Sequence, residues 1–306
     1  MIRLGTRASA LALAQAATVA DSLRRLGAEV ELVPMRTEGD RRRAARLAEA
    51  GGKGLFVREI EDALAAGRVD LAVHSLKDLP AAQPPGLTLA AYPPREDPRD
   101  VLVSRCGGGV EALPAGAVVG TSSLRRRALL LALRPDLQVE PLRGNVDTRL
   151  RRLSRTGVDA VVLAAAGLAR LSLAPPAAVP LPPDVFVPAV GQGILAVEVR
   201  EADVRMRALV AALDHRPTRV AALAERAYLR RLGASCNTPM AAHAVVDGGR
   251  VTMTAVVASE DGRRLLRADA AGPVEDPDGL GRSLAESLLA QGAAAVAALQ
   301  PGRWEP

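Results

Sequence analysis

The chain has 306 residues, 49% of them hydrophobic and 24% charged, which suits two or three domains with cores of their own and excludes a disordered or fibrous protein. Its net charge of +6 points to acidic partners, but aromatic residues make up only 2%, which argues against a nucleic-acid surface built on base stacking. Two distant cysteines, Cys106 and Cys236, exclude a disulfide framework, and no window has the apolar length of a membrane span.

In chain order, "IRLGT" reads as a short strand, and Ser9 as the N-cap of an amphipathic helix running to about Leu26. Polar residues interrupt that helix too often for a cleaved leader, so a cytoplasmic protein is expected. "AEVELVPM" alternates as a strand. Residues 37–53 are charged and run into Gly-Gly-Lys-Gly, as a loop or loosely held helix that could cover a cleft. "GLFVREIEDALAAG" is an amphipathic helix ended by Gly67, and "VDLAVHSL" a buried strand leading into Lys77-Asp78-Leu79-Pro80. From about residue 99 a second α/β segment follows. "DVLVS" and "GAVVGT" are strands, "SSLRRRALLLAL" a serine-capped helix, "DLQVEPL" a strand, "GNVDTRLRRLS" a helix and "VDAVVLAAAG" a buried strand. The proline-rich run "APPAAVPLPPDVFVPAVGQG" has no period and reads as a crossover or hinge. "ILAVEVR" is a strand able to return to the first sheet. A helix over 218–233, an antiparallel three-stranded meander and a last helix over 279–298 close the chain.

Several arginines fall at strand-to-helix junctions. Arg7 precedes the helix that starts near Ser9. Arg125 and Arg126 lie in the first turn after "GTSS", Arg143 precedes "GN" with Arg149 one to two turns on, and Arg170 follows "LAAAGLA". The C-terminal edge of a parallel sheet is where ligands bind. Arginine there opposes the dipole of its own helix, so helix stability does not explain it. Bidentate pairing with carboxylate or phosphate does, and the set reads as a cleft for several anionic groups. Asp78 follows a buried strand beside Lys77. It is either the cap of the turn before Pro80 or a catalytic carboxylate, kept ionised by basic neighbours. Among 40 basic residues only Lys53 and Lys77 are lysine, so both stand out against an arginine-rich background. His74 reads as a packed strand residue, and three histidines with two cysteines offer no metal-ligand spacing. No Walker A or dinucleotide fingerprint is present.

Eight segments in order, "GTRASALALAQA", "GGKGLFVREIEDAL", "DLAVHSLKDLP", "GTSSLRRRALL", "LRGNVDTRL", "AAAGLARL", "PAVGQGILAVEVR" and "ERAYLRRLGASCNTP", resemble the porphobilinogen deaminase (hydroxymethylbilane synthase) family. They cover about three quarters of the chain. The resemblance implies a transferase of tetrapyrrole and haem biosynthesis. Such an enzyme joins four porphobilinogen molecules head to tail, losing ammonia at each step, on a covalent dipyrromethane primer, and releases hydroxymethylbilane by hydrolysis. It further implies that Cys236 carries the dipyrromethane, and that Asp78 and Lys77 are catalytic. Ser9, Lys77, Asp78, Ser123, Arg125, Arg126 and Arg143 would hold the cofactor, and Arg7, Arg143, Arg149 and Arg170 the substrate carboxylates. The cysteine commonly follows a Gly-Gly pair in the family and here follows Ala234-Ser235.

The implied fold is α/β, two lobes like type II periplasmic binding proteins plus a small α+β domain with a three-stranded antiparallel sheet. The expected domains are 1–94 with 190–214, an inserted 95–189, and 215–306 carrying the cysteine. A monomer free of nucleic acid, membrane and metal is expected. Phe56 could pack on pyrrole rings or in the core, and Cys106 is incidental. Two rivals remain: a non-enzymatic anion-binding protein of the same lobed fold, which leaves Asp78 and Cys236 unexplained, and a nucleic-acid binder, which explains the charge alone.

Overall fold

The computed structural model describes residues 1–35, 57–155, 157–234 and 238–299. The 37–53 segment with Lys53, together with Phe56 and Cys236, lies outside the described residues. Contacts divide the chain into two compact units, Met1–Arg95 with Ile194–Arg219, and Glu96–Gly193 with Val220–Pro306.

The first unit holds β1 (Ile2–Arg7), α1 (Ala10–Arg25), β2 (Val30–Met35), α2 (Arg58–Ala65), β3 (Leu71–Ser75), β4 (Leu87–Ala91), β10 (Leu195–Arg200) and α6 (Val204–Ala211), numbered along the whole chain. Its sheet has the order β2-β1-β3-β10-β4. β1 runs parallel to β2 and β3, while β10 is antiparallel to β3 and β4. β3 is apolar on both faces, as a strand covered on both sides must be. Val73 joins Leu4, Val19, Leu23 and Val197 on one face. Ala72 joins Ile60, Leu64 and Val69 on the other. Helix α2 stops where expected, at Gly67 with φ +69°.

The second unit repeats that plan with β5 (Asp100–Ser104), β6 (Val118–Gly120), α3 (Leu124–Leu133), β7 (Gln138–Glu140), α4 (Val146–Arg155), β8 (Ala160–Ala164), α5 (Ala165–Arg170) and β9 (Ala178–Pro180). The order is β7-β6-β8-β5-β9, with β5 as the antiparallel strand in fourth place. It also contains α7 (Arg216–Leu232), apart from that helix's first turn, and the meander β11 (Met240–Asp247), β12 (Arg250–Ala258) and β13 (Leu265–Pro273). Helices α8 (Pro277–Ala290) and α9 (Ala293–Val296) complete it. Ala241 and Val256 of the meander share a core with Leu102, Val119, Leu130 and Phe186. Helix α8 approaches α7 so closely that a Cβ on Gly281 would clash with the Ala224 carbonyl oxygen.

This is the expected fold class, with four elements not expected from the sequence. β4 and α6 are two of them. The strand expected over "VDAVVLAAAG" stops at Ala164 and its Ala-Ala-Gly end opens helix α5. The proline-rich crossover contains β9, which pairs with β5 at the sheet edge, where proline is tolerated. The last helix is two helices, parted at Gly292 with φ +93°.

Candidate active site

β1 delivers Arg7 at its C-terminal end, and the chain turns into α1 through Ser9, whose Oγ accepts a hydrogen bond from the Ala12 N–H at 3.3 Å. One strand over, β3 ends at Ser75 and passes into a tight turn, Leu76–Asp78. Leu76 and Leu79 are buried and pin that turn, which leaves Lys77 and Asp78 half-buried at its surface. Arg7, Ser9, Gln15, His74, Ser75 and Asp78 line one recess at this sheet edge. Buried Gln15 is held there by Ser75, its Nε2 donating to Oγ at 2.8 Å and its Oε1 accepting from Oγ at 3.0 Å. Among the described residues, the Asp78 carboxylate has no hydrogen-bond or ion-pair partner, so the reading of Asp78 as a turn cap has no bond to support it. Lys77 and Arg7 are both engaged in interactions of their own.

The second unit places its arginines differently from the picture of an open cationic cleft. Ser123 caps α3, its Oγ accepting from the Arg126 N–H at 3.4 Å. Arg125 and Arg126 are each only 6% exposed and converge on Asp100, the first residue of β5. Arg126 donates to Asp100 Oδ1 through Nε at 2.9 Å and Nη2 at 2.7 Å, and to the Val162 carbonyl at 2.8 Å. Arg125 Nη1 lies 2.8 Å from Asp100 Oδ2 and donates to the Val187 carbonyl at 2.8 Å. Its guanidinium stands 5.8 Å from the Phe186 ring centroid. Gln192 adds a bond to Asp100 Oδ1 at 3.2 Å. Burial by itself would raise the Asp100 carboxyl, but the two arginine charges outweigh it and hold the group at about 2. Burial, with the neighbouring Arg126, lowers the Arg125 guanidinium. Two cations share one anion, and Arg125 Nε is buried without a partner among the described residues. A surplus charge and an orphan donor fit a carboxylate-bearing cofactor.

The other arginines are more open. Arg149 Nε donates to the Gly144 carbonyl at 2.9 Å across the turn that also carries exposed Arg143. Gly144 has φ +116°, which a side chain would strain. Arg170 donates to the Gly193 carbonyl at 2.7 Å, and burial lowers its guanidinium. Asp100 and Glu198 were not read from the sequence. The signal was there, a lone acid within an apolar strand, in "DVLVS" and in "ILAVEVR".

The comparisons with known proteins agree with one another. A family model described as "Porphobilinogen deaminase, dipyromethane cofactor binding domain" matches residues 2–208, and "Porphobilinogen deaminase, C-terminal domain" matches 219–290. The chain belongs to the porphobilinogen deaminase family. It is 53% identical to the porphobilinogen deaminase of Syntrophotalea carbinolica, over 95% of this chain and 93% of that one. It is 51% identical to that of Desulforudis audaxviator, over 96% of each chain. Members are transferases, so this chain is one, and its cofactor is the dipyrromethane that the matched domain binds. A solved periplasmic substrate-binding protein of an ABC transporter from Coxiella burnetii covers 70% of this chain and 92% of its own. At 19% identity and a TM-score of 0.43, that likeness says nothing of what this chain binds. No described helix is long and apolar enough to cross a membrane.

Proposed function

We propose that Asp78 is the catalytic carboxylate of this enzyme and that Cys236 is the tether of its dipyrromethane. The chain is a hydroxymethylbilane synthase, condensing four porphobilinogen molecules and releasing the linear tetrapyrrole. The observation that carries the residue assignment is a carboxylate just past the end of β3 with no partner among the described residues, in one recess with Arg7 and Ser9.

The aminomethyl nitrogen of each porphobilinogen leaves as ammonia. The C–N bond breaks, its electron pair goes to nitrogen, and the substrate becomes an azafulvene cation. When bound, the dipyrromethane supplies the nucleophilic pyrrole α-carbon on which the chain is built. A carboxylate fixed at the sheet edge can accept a pyrrole N–H hydrogen bond and stabilise cationic charge as it develops. Either Asp78 oxygen can then take the proton that the attacking carbon sheds. Lys77 shares the turn and supplies a compensating charge. Each added pyrrole brings an acetate and a propionate, so the number of carboxylates grows with the chain. Arg7, Arg143, Arg149 and Arg170 would hold those of the substrate. Ser9, Ser123, Arg125, Arg126 and Arg143 would hold those of the cofactor, and the orphan Arg125 Nε supports that role. The proposal extends to a cytoplasmic monomer in three domains, 1–94 with 190–214, 95–189 and 215–306, acting without metal, nucleic acid or membrane.

Intact mass before and after Cys236→Ser tests the tether. The wild type should be heavier than its sequence by two porphobilinogen units less two ammonias, and the variant should not. A wild type that stays bare after incubation with porphobilinogen sinks the reading. Asp78→Asn should lower kcat by about 10²-fold or more with an unchanged melting temperature. Near-normal turnover would remove Asp78 from the mechanism.

A further inference from the structure

Behind the recess lies a buried acidic cluster that the proposed mechanism does not use. His74 on β3 and Glu198 on β10 are 5% and 0% exposed, with Nε2 and Oε2 3.0 Å apart. Glu61 on α2, 8% exposed, packs against the same sheet face. Glu61 Oε1 and Glu198 Oε1 are both buried with no hydrogen-bond partner among the described residues. Two carboxylates and one imidazole therefore share a dry space, and both ionised carboxylates exceed what a single imidazolium could balance. The cluster also touches the recess at two points. His74 lines it, and Val57, another lining residue, accepts the Glu61 backbone N–H at 2.9 Å.

We propose that Glu61 is a positioning residue that keeps its proton up to neutrality, that proton keeping the Glu61–His74–Glu198 cluster from presenting net negative charge to the carboxylates bound in the recess. This rests on the recess being the substrate site. The charged groups facing Glu61 are few. Glu198 and His74 come from the sheet, and Arg58 and Asp62, both exposed, from its own helix. Arg200 on β10 is spent on the Leu64 and Val69 carbonyls and on Asp203. Burial, reinforced by Glu198, pushes the Glu61 carboxyl up from 4.5 to about 7. Its ionisation thus falls within the working pH range.

Two consequences separate this role from simple packing. Above about pH 7, the ionised cluster repels anionic substrate through a medium of low effective dielectric, so the wild-type KM for porphobilinogen rises by roughly threefold or more while kcat changes less. Glu61→Gln, which cannot ionise, keeps a flat and low KM over the same range. The folded state also holds this proton more tightly than the unfolded chain does. Wild-type stability therefore falls as pH rises from about 4.5 through about 7, and Glu61→Gln does not share that fall.

The experiment measures KM, kcat and thermal midpoint against pH for the cofactor-loaded wild type and Glu61→Gln. It adds the infrared carboxylic-acid band of the wild type at neutral pH. A KM that rises equally in both proteins overturns the proposal. So does a midpoint difference that ignores pH, or a neutral-pH wild type with no protonated carboxyl band. If Glu61→Gln fails to fold, Glu61→Ala takes its place, and a carboxylic-acid band that survives unchanged in it overturns the assignment of the proton to Glu61. A protein that turns over no porphobilinogen would overturn the functional reading instead, and the midpoint and infrared results would still decide for or against the proton on Glu61.

Discussion

The two five-stranded sheets share one strand order and differ in how they treat a buried acid. Each places that acid on the antiparallel fourth strand, Glu198 on β10 and Asp100 on β5. In the first unit the acid meets a histidine on the adjacent strand and lies near a second carboxyl group, so the interior is rich in acids. In the second it meets two arginines from the first turn of α3, and the interior is rich in cations. A common topology thus fixes where a charge can be buried and leaves its sign to a few side chains. One sheet edge bears an acid suited to cationic intermediates, and the other unit bears guanidinium groups suited to carboxylates.

Breaking the cationic arrangement should have the largest effect. Asp100→Asn leaves Arg125 and Arg126 buried without a counter-charge and should destabilise the protein by about 3–5 kcal/mol. Chemical denaturation measures this, and a loss under about 1 kcal/mol would mean that water or solvent ions replace the carboxylate. Acid titration should follow in size. Asp100 titrates near 2 in the folded chain, against 3.8 ordinarily. Its contribution, about 2 kcal/mol, is present above pH 3.8 and lost as pH falls through 2. The unfolding free energy of Asp100→Asn should lack that slope.

The matching change in the acid-rich unit, Glu198→Gln, keeps a hydrogen-bonding group beside His74 and relieves the repulsion with Glu61. It should destabilise by about 1 kcal/mol. A loss as large as that of Asp100→Asn would show that the His74–Glu198 bond far outweighs the repulsion between Glu198 and Glu61. Smallest is Ser123→Ala, which removes the cap of α3 and should lower stability by about 1 kcal/mol or less. If Ser123 also holds cofactor, that variant should lose cofactor retention in intact mass beyond what its stability explains.

Local signals carried much of this protein. Ser9 and Ser123 were legible as N-caps, Gly67 as a helix stop and "VDLAVHSL" as a covered strand, because caps, stops and hydrophobic runs are written within a few residues of where they act. The order of the eight family segments was legible for the same reason, and with it the chemistry and the cofactor. Asp78 stood out because a carboxylate directly after a buried strand must emerge at the sheet edge. What the chain by itself left open was pairing at a distance. Arg125 and Arg126 read as open cleft arginines until β5 brought Asp100 beneath them from 25 and 26 positions away. His74 read as a packed strand residue, which it is, but its partner Glu198 lies 124 positions on and reaches it only because β10 returns antiparallel beside β3. Sequence determines which groups can ionise and roughly where they surface. Only the tertiary fold decides which of them share a dry space, because burial and counter-charge depend on strands that are neighbours in the sheet and strangers along the chain.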